Sequence, residues 1–313
     1  MKAEAYLVTG GAGFIGSHIV EALVGAGERV RVVDDLSNGL AANLASFGSR
    51  VELVRGDIRD AALMDDCMRG VSCVLHLAAL GSVARSVADP VTSNDVNVNG
   101  TLNVLRAARD AHVRRLVFSS SSSVYGENPA LPKHEELVTM PISPYAVSKL
   151  AGEEYTRVFA RLYEIETVCL RYFNVFGPRQ RPDSQYAAVI PLFMRWAREG
   201  APLRVYGDGL QSRDFTYVTN VVRANLLAAS VPGVSGRVFN VACGERFSLL
   251  DIVRSLELAC GHELEVVHES PRAGDVRHSL ADIGAARTAL GYESEVSFDE
   301  GLRRTWDAFL AAS

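Results

Sequence analysis

The sequence predicts an α/β protein built on a doubly wound parallel sheet, and three observations carry that prediction. Short apolar runs alternate with longer segments whose apolar residues recur at helical spacing. Successive apolar runs lie roughly 20 to 40 residues apart, which leaves room for a helix that crosses over between parallel strands. A glycine-rich stretch follows the first run and opens the first helix. Together these features are typical of a sheet with helices on both faces.

Six apolar segments predict the strands in order along the chain. They are AYLVTG, RVRVVDD, VELVRGD, VSCVLHLAA, VRRLVFSS and ETVCLRYFNVFG. The first helix is predicted from Ile15, Ile19 and Leu23, which share one helical face. GTLNVLRAARDAH and SPYAVSKLAGEEYTRVFARLYE predict the helices before the fifth and sixth strands. These elements predict a first domain at residues 1–176.

The pattern becomes less regular after Gly177. GPRQRPD is typical of a loop, a helix is predicted around 188–199, and PLRVYG and ELEVVHE predict short strands. A final helix is expected from about Phe298. We expect a smaller C-terminal α/β lobe at 177–313, with a segment at about 214–242 that returns to the first domain.

The bulk composition disfavours several classes of protein. Of the 313 residues, 48% are hydrophobic and 22% are charged, which is ordinary for a globular chain. The net charge is −5, the sequence pI is about 5.8 and there is no long basic run, so nucleic acid is not expected as a partner. No apolar stretch approaches the roughly 20 residues that span a bilayer, so no membrane partner is expected. The five cysteines include no CxxC pair and no signal peptide is visible, which disfavours disulfides and a metal site and predicts a cytoplasmic location.

Gly10, Gly13 and Gly16 lie between the first strand and the first helix, in the stretch GGAGFIG. Glycines at this position permit a tight turn, close approach of a pyrophosphate and close packing of the helix on the strand. The helix N-terminus then turns its free N–H groups toward the phosphates. The stretch therefore predicts a dinucleotide site.

Asp34 ends the second predicted strand, 18 residues after Gly16. A carboxylate there can bind the 2′-hydroxyl of the adenosine ribose and would repel a 2′-phosphate. Because no Arg or Lys lies between Asp34 and Arg50, the sequence favours NAD over NADP. Asp57 and Ile58, after the third strand, are suited to a contact on the adenine side.

Tyr145 and Lys149 lie four residues apart in a predicted helix, so their side chains share one face. We expect the ammonium of Lys149 to lower the pKa of the Tyr145 phenol and to make it an acid and base near neutral pH. Upstream, a run of five serines at 119–123 follows the fifth predicted strand. The glycine loop, the YxxxK pair and the hydroxyl cluster together are far more specific than any one of them.

With these motifs the chain resembles the short-chain dehydrogenase/reductase superfamily, and its extended nucleotide-sugar branch in particular. The matching stretches span nearly the whole chain and are VTGGAGFIGSHIV, VVDDLSNG, GDIRD, VLHLAA, NVNGTLNVL, SSSSSVYGE, SPYAVSKLAGE, LRYFNVFGPRQ, VYGDGLQSRDFTYV, FNVACGE and GDVRHSLAD. The resemblance implies a Rossmann-type domain that holds NAD and a C-terminal lobe that holds a nucleoside diphosphate sugar. The cofactor-binding residues that it implies are Gly10, Gly13, Phe14, Ile15, Gly16, Asp34, Asn38, Asp57, Ile58, Leu77, Ala78, Ala79, Asn97, Tyr145, Lys149 and Phe173.

The serine run distinguishes the activities of this branch. The resemblance assigns the catalytic hydroxyl to the fourth position before the Tyr of VYG, which is Ser121. Dehydratases carry Asp-Glu at the next two positions and decarboxylating members carry Glu at the second, whereas this chain has Ser122 and Ser123. This is the pattern of the UDP-hexose 4-epimerases. It implies that Tyr145 takes the proton of the sugar 4-hydroxyl while the C4 hydride passes to NAD, with Lys149 as the third catalytic residue.

The resemblance also implies a set of substrate-binding residues. Asn174 would contact the diphosphate side, Arg213 and Arg272 would grip the diphosphate, and Arg204, Tyr206 and Asp275 would surround the uridine. Guanidinium groups suit a diphosphate because they donate in a fork. The full set is Ser82, Arg85, Ser121, Ser123, Asn174, Val189, Arg204, Tyr206, Arg213, Arg272, Asp275 and Ser279.

The preferred sugar is predicted from Ser279. Glucose-restricted members of the branch carry a bulky Tyr there, next to the C2 substituent, and Ser leaves room for an N-acetyl group. LGSVARS and YAAVIP also resemble enzymes that prefer UDP-N-acetylhexosamines. We therefore expect UDP-GlcNAc/UDP-GalNAc as substrates, together with UDP-Glc/UDP-Gal.

Two alternatives stay open. GPRQRPD with Arg181 resembles UDP-glucuronate 4-epimerases, in which a basic residue could bind the carboxylate. A non-catalytic NAD-binding module is disfavoured by the intact Ser121, Tyr145 and Lys149. The branch usually forms a homodimer through a four-helix bundle, which would use the helices near 100–112 and 145–163.

Overall fold

The structure is a computed structural model that describes residues 5–181, 188–270 and 277–311. The strands in that part of the chain are β1 (Ala5–Thr9), β2 (Arg29–Asp34), β3 (Val51–Arg55), β4 (Cys73–His76), β5 (Arg115–Ser121), β6 (Glu166–Tyr172), β7 (Val175–Phe176), β8 (Leu203–Tyr206), β9 (Ser212–Arg213), β10 (Thr216–Tyr217), β11 (Arg237–Val241), β12 (Phe247–Ser248) and β13 (Val266–Glu269). The α-helices there are α1 (Phe14–Gly25), α2 (Ala61–Cys67), α3 (Val83–Ala88), α4 (Pro90–Asn94), α5 (Thr101–Asp110), α6 (Pro144–Leu162), α7 (Val189–Glu199), α8 (Val218–Ser230), α9 (Leu249–Cys260), α10 (Gly284–Leu290) and α11 (Phe298–Ala311). Two 3₁₀ segments cover Ala41–Arg50 and Ser122–Tyr125, and a π-helical segment covers Asp95–Gly100.

The central sheet confirms the predicted α/β fold class. In the described residues it has seven parallel strands in the order β3-β2-β1-β4-β5-β6-β11. All six predicted strands take part. The order reverses direction between β1 and β4, and open sheets of this kind bind ligands beyond the carboxyl ends of the strands at such a point.

Helices cover both faces of the sheet, and the strand sequences reflect this. Leu7 and Leu116 face one buried cluster, whereas their neighbours Val8 and Val117 face another. Successive side chains of a strand point to opposite faces, so an unbroken apolar run buries both. Each fully buried side chain of this size stabilises the fold by about 1.5 to 3 kcal/mol.

The C-terminal third adds to the sheet and also builds a core of its own. β11 pairs with β6 at the sheet edge, and α8 packs against β5 and β6. A third cluster, which includes Phe193, Phe215, Phe298 and Trp306, brings α7, α9 and α11 together around β8 and β13. The domain boundaries at 1–176 and 177–313 stay a prediction. α10, in the second range, packs on β11 of the central sheet.

Candidate active site

The glycine turn after β1 is packed so closely that side chains are excluded. Gly10 has φ +71°, and a Cβ there would lie 2.8 Å from the backbone nitrogen of Ala78. A Cβ on Gly16 would lie 2.2 Å from the carbonyl oxygen of Gly10. Within the part of the chain that the structure describes, no side chain caps the first turn of α1. Its N–H groups and the adjoining glycines can therefore receive a phosphate group.

A cavity of about 420 Å³ opens above this turn at the switch point between β1 and β4. Predicted cofactor residues that line it are Gly10, Gly13, Phe14, Ile15, Gly16, Asp34, Asn38, Asp57, Ile58, Leu77, Ala78, Ala79, Tyr145 and Lys149. We name it the cofactor cavity. Its wall joins the glycine turn at one end to the Tyr145–Lys149 pair at the other.

Asp34 has the geometry that a ribose-binding carboxylate requires. Its oxygens accept hydrogen bonds from the backbone N–H groups of Ala12 and Leu36, each at 2.9 Å. A Cβ on Gly39 would lie 2.8 and 2.9 Å from these oxygens, so only glycine fits where the loop after β2 packs against Asp34. Burial raises the pKa of Asp34, against the pull of these N–H donors. The glycine turn, the helix N-terminus and this carboxylate fit a dinucleotide without a 2′-phosphate.

The two other predicted polar contacts on the cofactor side are held by arginines. Asp57 receives Nε and Nη2 of Arg59 at 3.0 and 2.6 Å, and these bonds lower its pKa. Asn38 is exposed and accepts from Nη2 of Arg85 at 3.2 Å. Each of these side chains reaches the cavity wall with part of its hydrogen-bonding capacity already used.

Two predicted cofactor residues, Asn97 and Phe173, are not part of this cavity lining, and their contact with the cofactor stays a prediction. Asn97 is buried and uses its amide on the backbone of Leu80, at 2.8 and 3.3 Å, and on the hydroxyl of Ser148 at 2.9 Å. It therefore holds the lining segment 77–81 against α6. Phe173 is fully buried in the core, and its neighbour Tyr172 lines the cavity instead.

Ser121, Tyr145 and Lys149 come together at the carboxyl end of β5. The hydroxyl of Ser121 is close enough to that of Tyr145 to hold the pKa of the phenol down. Lys149 is buried, donates from Nζ to the carbonyl oxygen of Ser119 at 2.8 Å and lies 5.1 Å from the centre of the Phe118 ring. This arrangement can move a proton between a substrate hydroxyl and Tyr145.

Desolvation has the largest effect on the pKa of the Tyr145 phenol in this structure. Burial raises the pKa of Tyr145, and the hydroxyl of Ser121 opposes that rise. Burial also lowers the pKa of Lys149 to about 8. The expectation that Lys149 lowers the Tyr145 pKa stays a prediction, in which the ammonium acts against the effect of desolvation.

The neighbouring serines organise this group. Ser123 donates from its backbone N–H, at 3.2 Å, and from its hydroxyl, at 2.9 Å, to the oxygen of Ser121. Ser120 donates to Glu153 at 2.7 Å. Ser123, predicted to bind substrate, thus orients Ser121, while Ser122 follows Ser121 without bringing a carboxylate to the site.

A second cavity, of about 300 Å³, lies next to the segment that follows β6. Predicted substrate residues in its lining are Asn174, Val189, Arg204, Tyr206 and Arg213. Asn174 has φ +30° and donates to the carbonyl of Asp214 at 3.0 Å. Arg213 donates to the carbonyls of Ser212 and Arg277 at 3.0 and 3.1 Å. We name this the nucleotide cavity because it combines apolar and guanidinium walls.

The remaining predicted substrate residues lie elsewhere. Ser82 caps α3 by accepting the N–H of Arg85 at 3.1 Å, and neither residue is part of the two linings. Ser279 is half-buried, and its N–H donates to the carbonyl of Ser212 at 3.0 Å, one residue before Arg213. Arg272 and Asp275 lie outside the described residues.

The structure adds residues that the sequence analysis did not name. Ser119, Ser120 and Tyr172 line the cofactor cavity, and Tyr172 donates to Asn225 at 2.9 Å. In the nucleotide cavity, Leu192, Phe193 and Trp196 join Val189 along one face of α7. Their spacing of three, four and seven residues from Val189 is a helical pattern that the sequence does contain.

In the described ranges, no helix is both long and apolar enough to cross a membrane.

Comparison with known proteins gives the family. The model of the NAD dependent epimerase/dehydratase family matches residues 6–242. The UDP-glucose 4-epimerase of Mycolicibacterium smegmatis is 40% identical over 307 residues, which cover 97% of this chain and 97% of that relative.

Two solved structures are similar over the whole chain. A UDP-N-acetylglucosamine 4-epimerase from Methanobrevibacter ruminantium M1, in complex with UDP-N-acetylmuramic acid, has a TM-score of 0.95 and 39% identity and covers 100% of both chains. A UDP-glucuronic acid 4-epimerase variant from Bacillus cereus, in complex with UDP-4-deoxy-4-fluoro-glucuronic acid and NAD, has a TM-score of 0.92 and 33% identity and covers 99% of this chain and 100% of the other. The chain therefore belongs to the NAD dependent epimerase/dehydratase family, and it is an NAD-dependent enzyme of the isomerase class.

Proposed function

We propose that this enzyme is a UDP-sugar 4-epimerase that interconverts UDP-GlcNAc and UDP-GalNAc and also UDP-Glc and UDP-Gal. One observation carries the proposal. Tyr145 and Lys149 stand in the wall of the cofactor cavity, the hydroxyl of Ser121 acts on the Tyr145 phenol, and serines occupy positions 122 and 123. Tyr145 and Ser121 can transfer a proton, and positions 122 and 123 carry no carboxylate that could drive an elimination.

The residues of the chain have separate tasks in this scheme. Tyr145 accepts the proton of the sugar 4-hydroxyl as C4 is oxidised, and it returns the proton after the sugar has turned its other face. Ser121 donates a hydrogen bond to the oxygen at C4 as it becomes a carbonyl. Lys149, with a pKa of about 8, is largely cationic at neutral pH and favours the deprotonated form of Tyr145. NAD, when bound, supplies the acceptor for the C4 hydride and gives the hydride back.

The nucleotide cavity supports a nucleoside diphosphate as the handle of the substrate. Phe193, Trp196 and Phe215 give it apolar walls that a pyrimidine ring can pack against. Arg204 and Arg213 add guanidinium groups, which bind phosphate oxygens in a fork. The cavity and the catalytic group flank residues 172–174, so one molecule could occupy both.

Ser279 is proposed to admit the N-acetyl group. Its backbone is tied to Ser212, which precedes the phosphate-binding candidate Arg213, and its side chain is half-buried. A tyrosine at this point would add a ring to a constrained segment. A small serine leaves room for a C2 substituent larger than a hydroxyl.

UDP-glucuronate is the second candidate substrate. Arg181 is exposed and follows the loop that starts at Gly177, and a guanidinium there could pair with a sugar carboxylate. The similarity to the Bacillus cereus enzyme is compatible with this reading.

A side-by-side substrate panel tests the proposal. Purified protein is incubated separately with UDP-GlcNAc, UDP-Glc and UDP-glucuronate, and the 4-epimers are quantified by NMR. We expect kcat/KM to be highest for UDP-GlcNAc, measurable for UDP-Glc and lowest for UDP-glucuronate. Preference for UDP-glucuronate would replace the proposed substrate, and bound NAD without any turnover would indicate a non-catalytic module.

The Ser279→Tyr variant tests the specificity residue. It should lower kcat/KM for UDP-GlcNAc by about tenfold or more relative to UDP-Glc, since a misfit in a pocket costs about 1 to 3 kcal/mol. Ser279→Ala, which removes the hydroxyl without adding bulk, is the matched control and should keep the wild-type ratio. Equal loss on both sugars in Ser279→Tyr would argue against the role.

The homodimer and the cytoplasmic location stay predictions. An exposed apolar stripe on α6, formed by Val147, Tyr155, Val158 and Leu162, favours a helical dimer interface.

A further inference from the structure

A buried ion pair lies behind the catalytic group, and none of the steps above uses it. The side chains of Glu153 and Arg171 are 0% and 4% exposed. Arg171 donates from Nη2 to Oε1 of Glu153 at 2.6 Å and from Nε to Oε2 at 3.0 Å. Removal of two charges from water is costly, so a buried pair seldom stabilises a fold better than apolar residues of similar volume would. A role in geometry explains its presence better than a role in stability.

Ser120 connects this pair to the strand that ends at the site. Its hydroxyl donates to Oε2 of Glu153 at 2.7 Å. Ser120 on β5 is also the register partner of Arg171 on β6. Register partners on parallel strands point to the same face of the sheet. Three side chains thus tie α6, β5 and β6 together one residue before Ser121.

The contacts of α6 with the end of β5 repeat at helical spacing. Tyr145, Lys149 and Glu153 are four residues apart and share one face of the helix. They meet the hydroxyl of Ser121, the carbonyl of Ser119 and the hydroxyl of Ser120 in turn. Of the three, the Glu153 contact is the most deeply buried and the only one fixed by a fork of donors.

We propose that Glu153 is a positioning residue: its carboxylate holds Ser120 and Arg171 and so fixes α6 against the end of β5, where Tyr145 meets Ser121. The inference rests on the proposed function. An apolar pair would fill the same space but, without directional bonds, would let the helix shift along the strand.

The Glu153→Gln variant tests this inference. It keeps the size of the side chain and an acceptor for Ser120 but loses the charge that holds Arg171. We expect kcat to fall by about tenfold or more, because a displacement on the order of 1 Å at reacting groups can cost about 10²-fold. KM for the UDP-sugar should stay within about twofold, since the nucleotide cavity is built from other elements.

A titration of Tyr145 gives a readout that does not need turnover. It is followed by ultraviolet difference absorbance, with Tyr145→Phe as the reference that removes this one phenol. In Glu153→Gln the pKa of Tyr145 should rise, because the shifted helix moves the phenol away from the Ser121 hydroxyl that opposes the effect of burial. The neighbouring ionisable residues, Lys149 on α6 and His76 on β4, are present in both the wild type and Glu153→Gln. Failure of wild-type turnover would defeat the proposed function, whereas an unchanged Tyr145 titration would defeat this inference.

Glu166→Gln is the matched control. Arg115 and Glu166 form another arginine–carboxylate pair on β5 and β6, at the opposite end of the same strands, with Nη2 and Oε2 2.6 Å apart. This variant should lower Tm while leaving kcat and the Tyr145 titration at wild-type values.

If Glu153→Gln does not fold, the double variant Glu153→Met with Arg171→Leu fills the site with apolar groups and should fold with the same loss of kcat. Wild-type kcat in a folded Glu153 variant, or an equal loss in Glu166→Gln, would overturn the inference.

Discussion

At the scale of single residues, the serines at the end of β5 have different partners. The carbonyl of Ser119 holds Lys149, the hydroxyl of Ser120 holds Glu153, and Ser121 meets Tyr145 while accepting from Ser123. The run is therefore an ordered part of the site. A carboxylate in place of Ser122 or Ser123 would put an acid or base next to the oxidised sugar and could drive an elimination. An epimerase must instead return that sugar intact.

Some site residues could be predicted from local spacing and others could not. Tyr145 and Lys149 share a helix face, and Asp34 ends a strand, so short stretches of sequence suffice to find them. Asn97 differs because its partners, Leu80 and Ser148, are 17 and 51 residues away. Its contacts with Leu80 and Ser148 depend on tertiary packing that no local pattern contains.

His76 is expected to make the fold sensitive to acid. It is buried between the hydroxyls of Thr9 and Thr101, at 2.6 and 2.9 Å, and burial lowers its pKa to about 3. The pKa of His76 is lower in the folded state than in the unfolded state, so the unfolded state binds more protons between pH 3 and 6.5. The free energy of unfolding therefore falls as the pH falls through that window. At about 1.4 kcal/mol per pH unit, the full effect is roughly 4 to 5 kcal/mol.

The measurement is urea unfolding of the wild type and His76→Gln across this range. The variant should lose less stability on acidification than the wild type, whatever its stability at neutral pH. His134→Gln, on an exposed histidine, is the control and should follow the wild type. A His76→Gln curve parallel to that of the wild type would show that His76 does not carry the effect.

At the scale of elements, the turn between β1 and α1 is the part that the sequence describes best. Gly16→Ala should disrupt it, since the new Cβ would lie 2.2 Å from the Gly10 carbonyl and 2.8 Å from Cα of Gly11. We expect a stability loss of about 1 to 3 kcal/mol from overpacking, together with a lower NAD content. Thermal unfolding and the absorbance of cofactor released on denaturation measure the two effects.

Gly25→Ala, in the last turn of the same helix, is the control for that variant. Nothing lies within 4 Å of a Cβ at Gly25, and its φ is not positive. The substitution should leave NAD content unchanged and raise stability by roughly 0.4 to 1 kcal/mol through the unfolded chain. Similar losses of NAD in both variants would mean that the tight packing at Gly16 is not what holds the cofactor.

The elements of the C-terminal third were harder to predict than those of the first domain. β7, β9, β10 and β12 have two residues each, too few for an alternating pattern to show. β11 lies in the segment at about 214–242 that is expected to return to the first domain, but its place beside β6 follows from a pairing across more than 60 residues. The pairing of β11 with β6 depends on the packing of α8 and α10 on the sheet, which local sequence does not show.

At the scale of the whole molecule, the carboxyl ends of parallel strands gather the chemistry at one edge. β1 brings the glycine turn, β2 brings Asp34, β5 brings Ser121 and β6 leads to Asn174. One end of the cofactor cavity can bind phosphates and the other can move a proton. The nucleotide cavity beyond β6 would hold the rest of the substrate, so that the sugar reaches Tyr145.

The Tyr145→Phe variant tests the central claim most directly, since it removes one hydroxyl and leaves the ring that lines the cofactor cavity. Epimerisation of UDP-GlcNAc is followed by NMR, and NAD content is measured on the same preparation. The account predicts that kcat falls by about 10² to 10⁴, as expected for loss of a general acid–base group, while NAD content stays at the wild-type level. Wild-type turnover by Tyr145→Phe, with NAD bound, would contradict it.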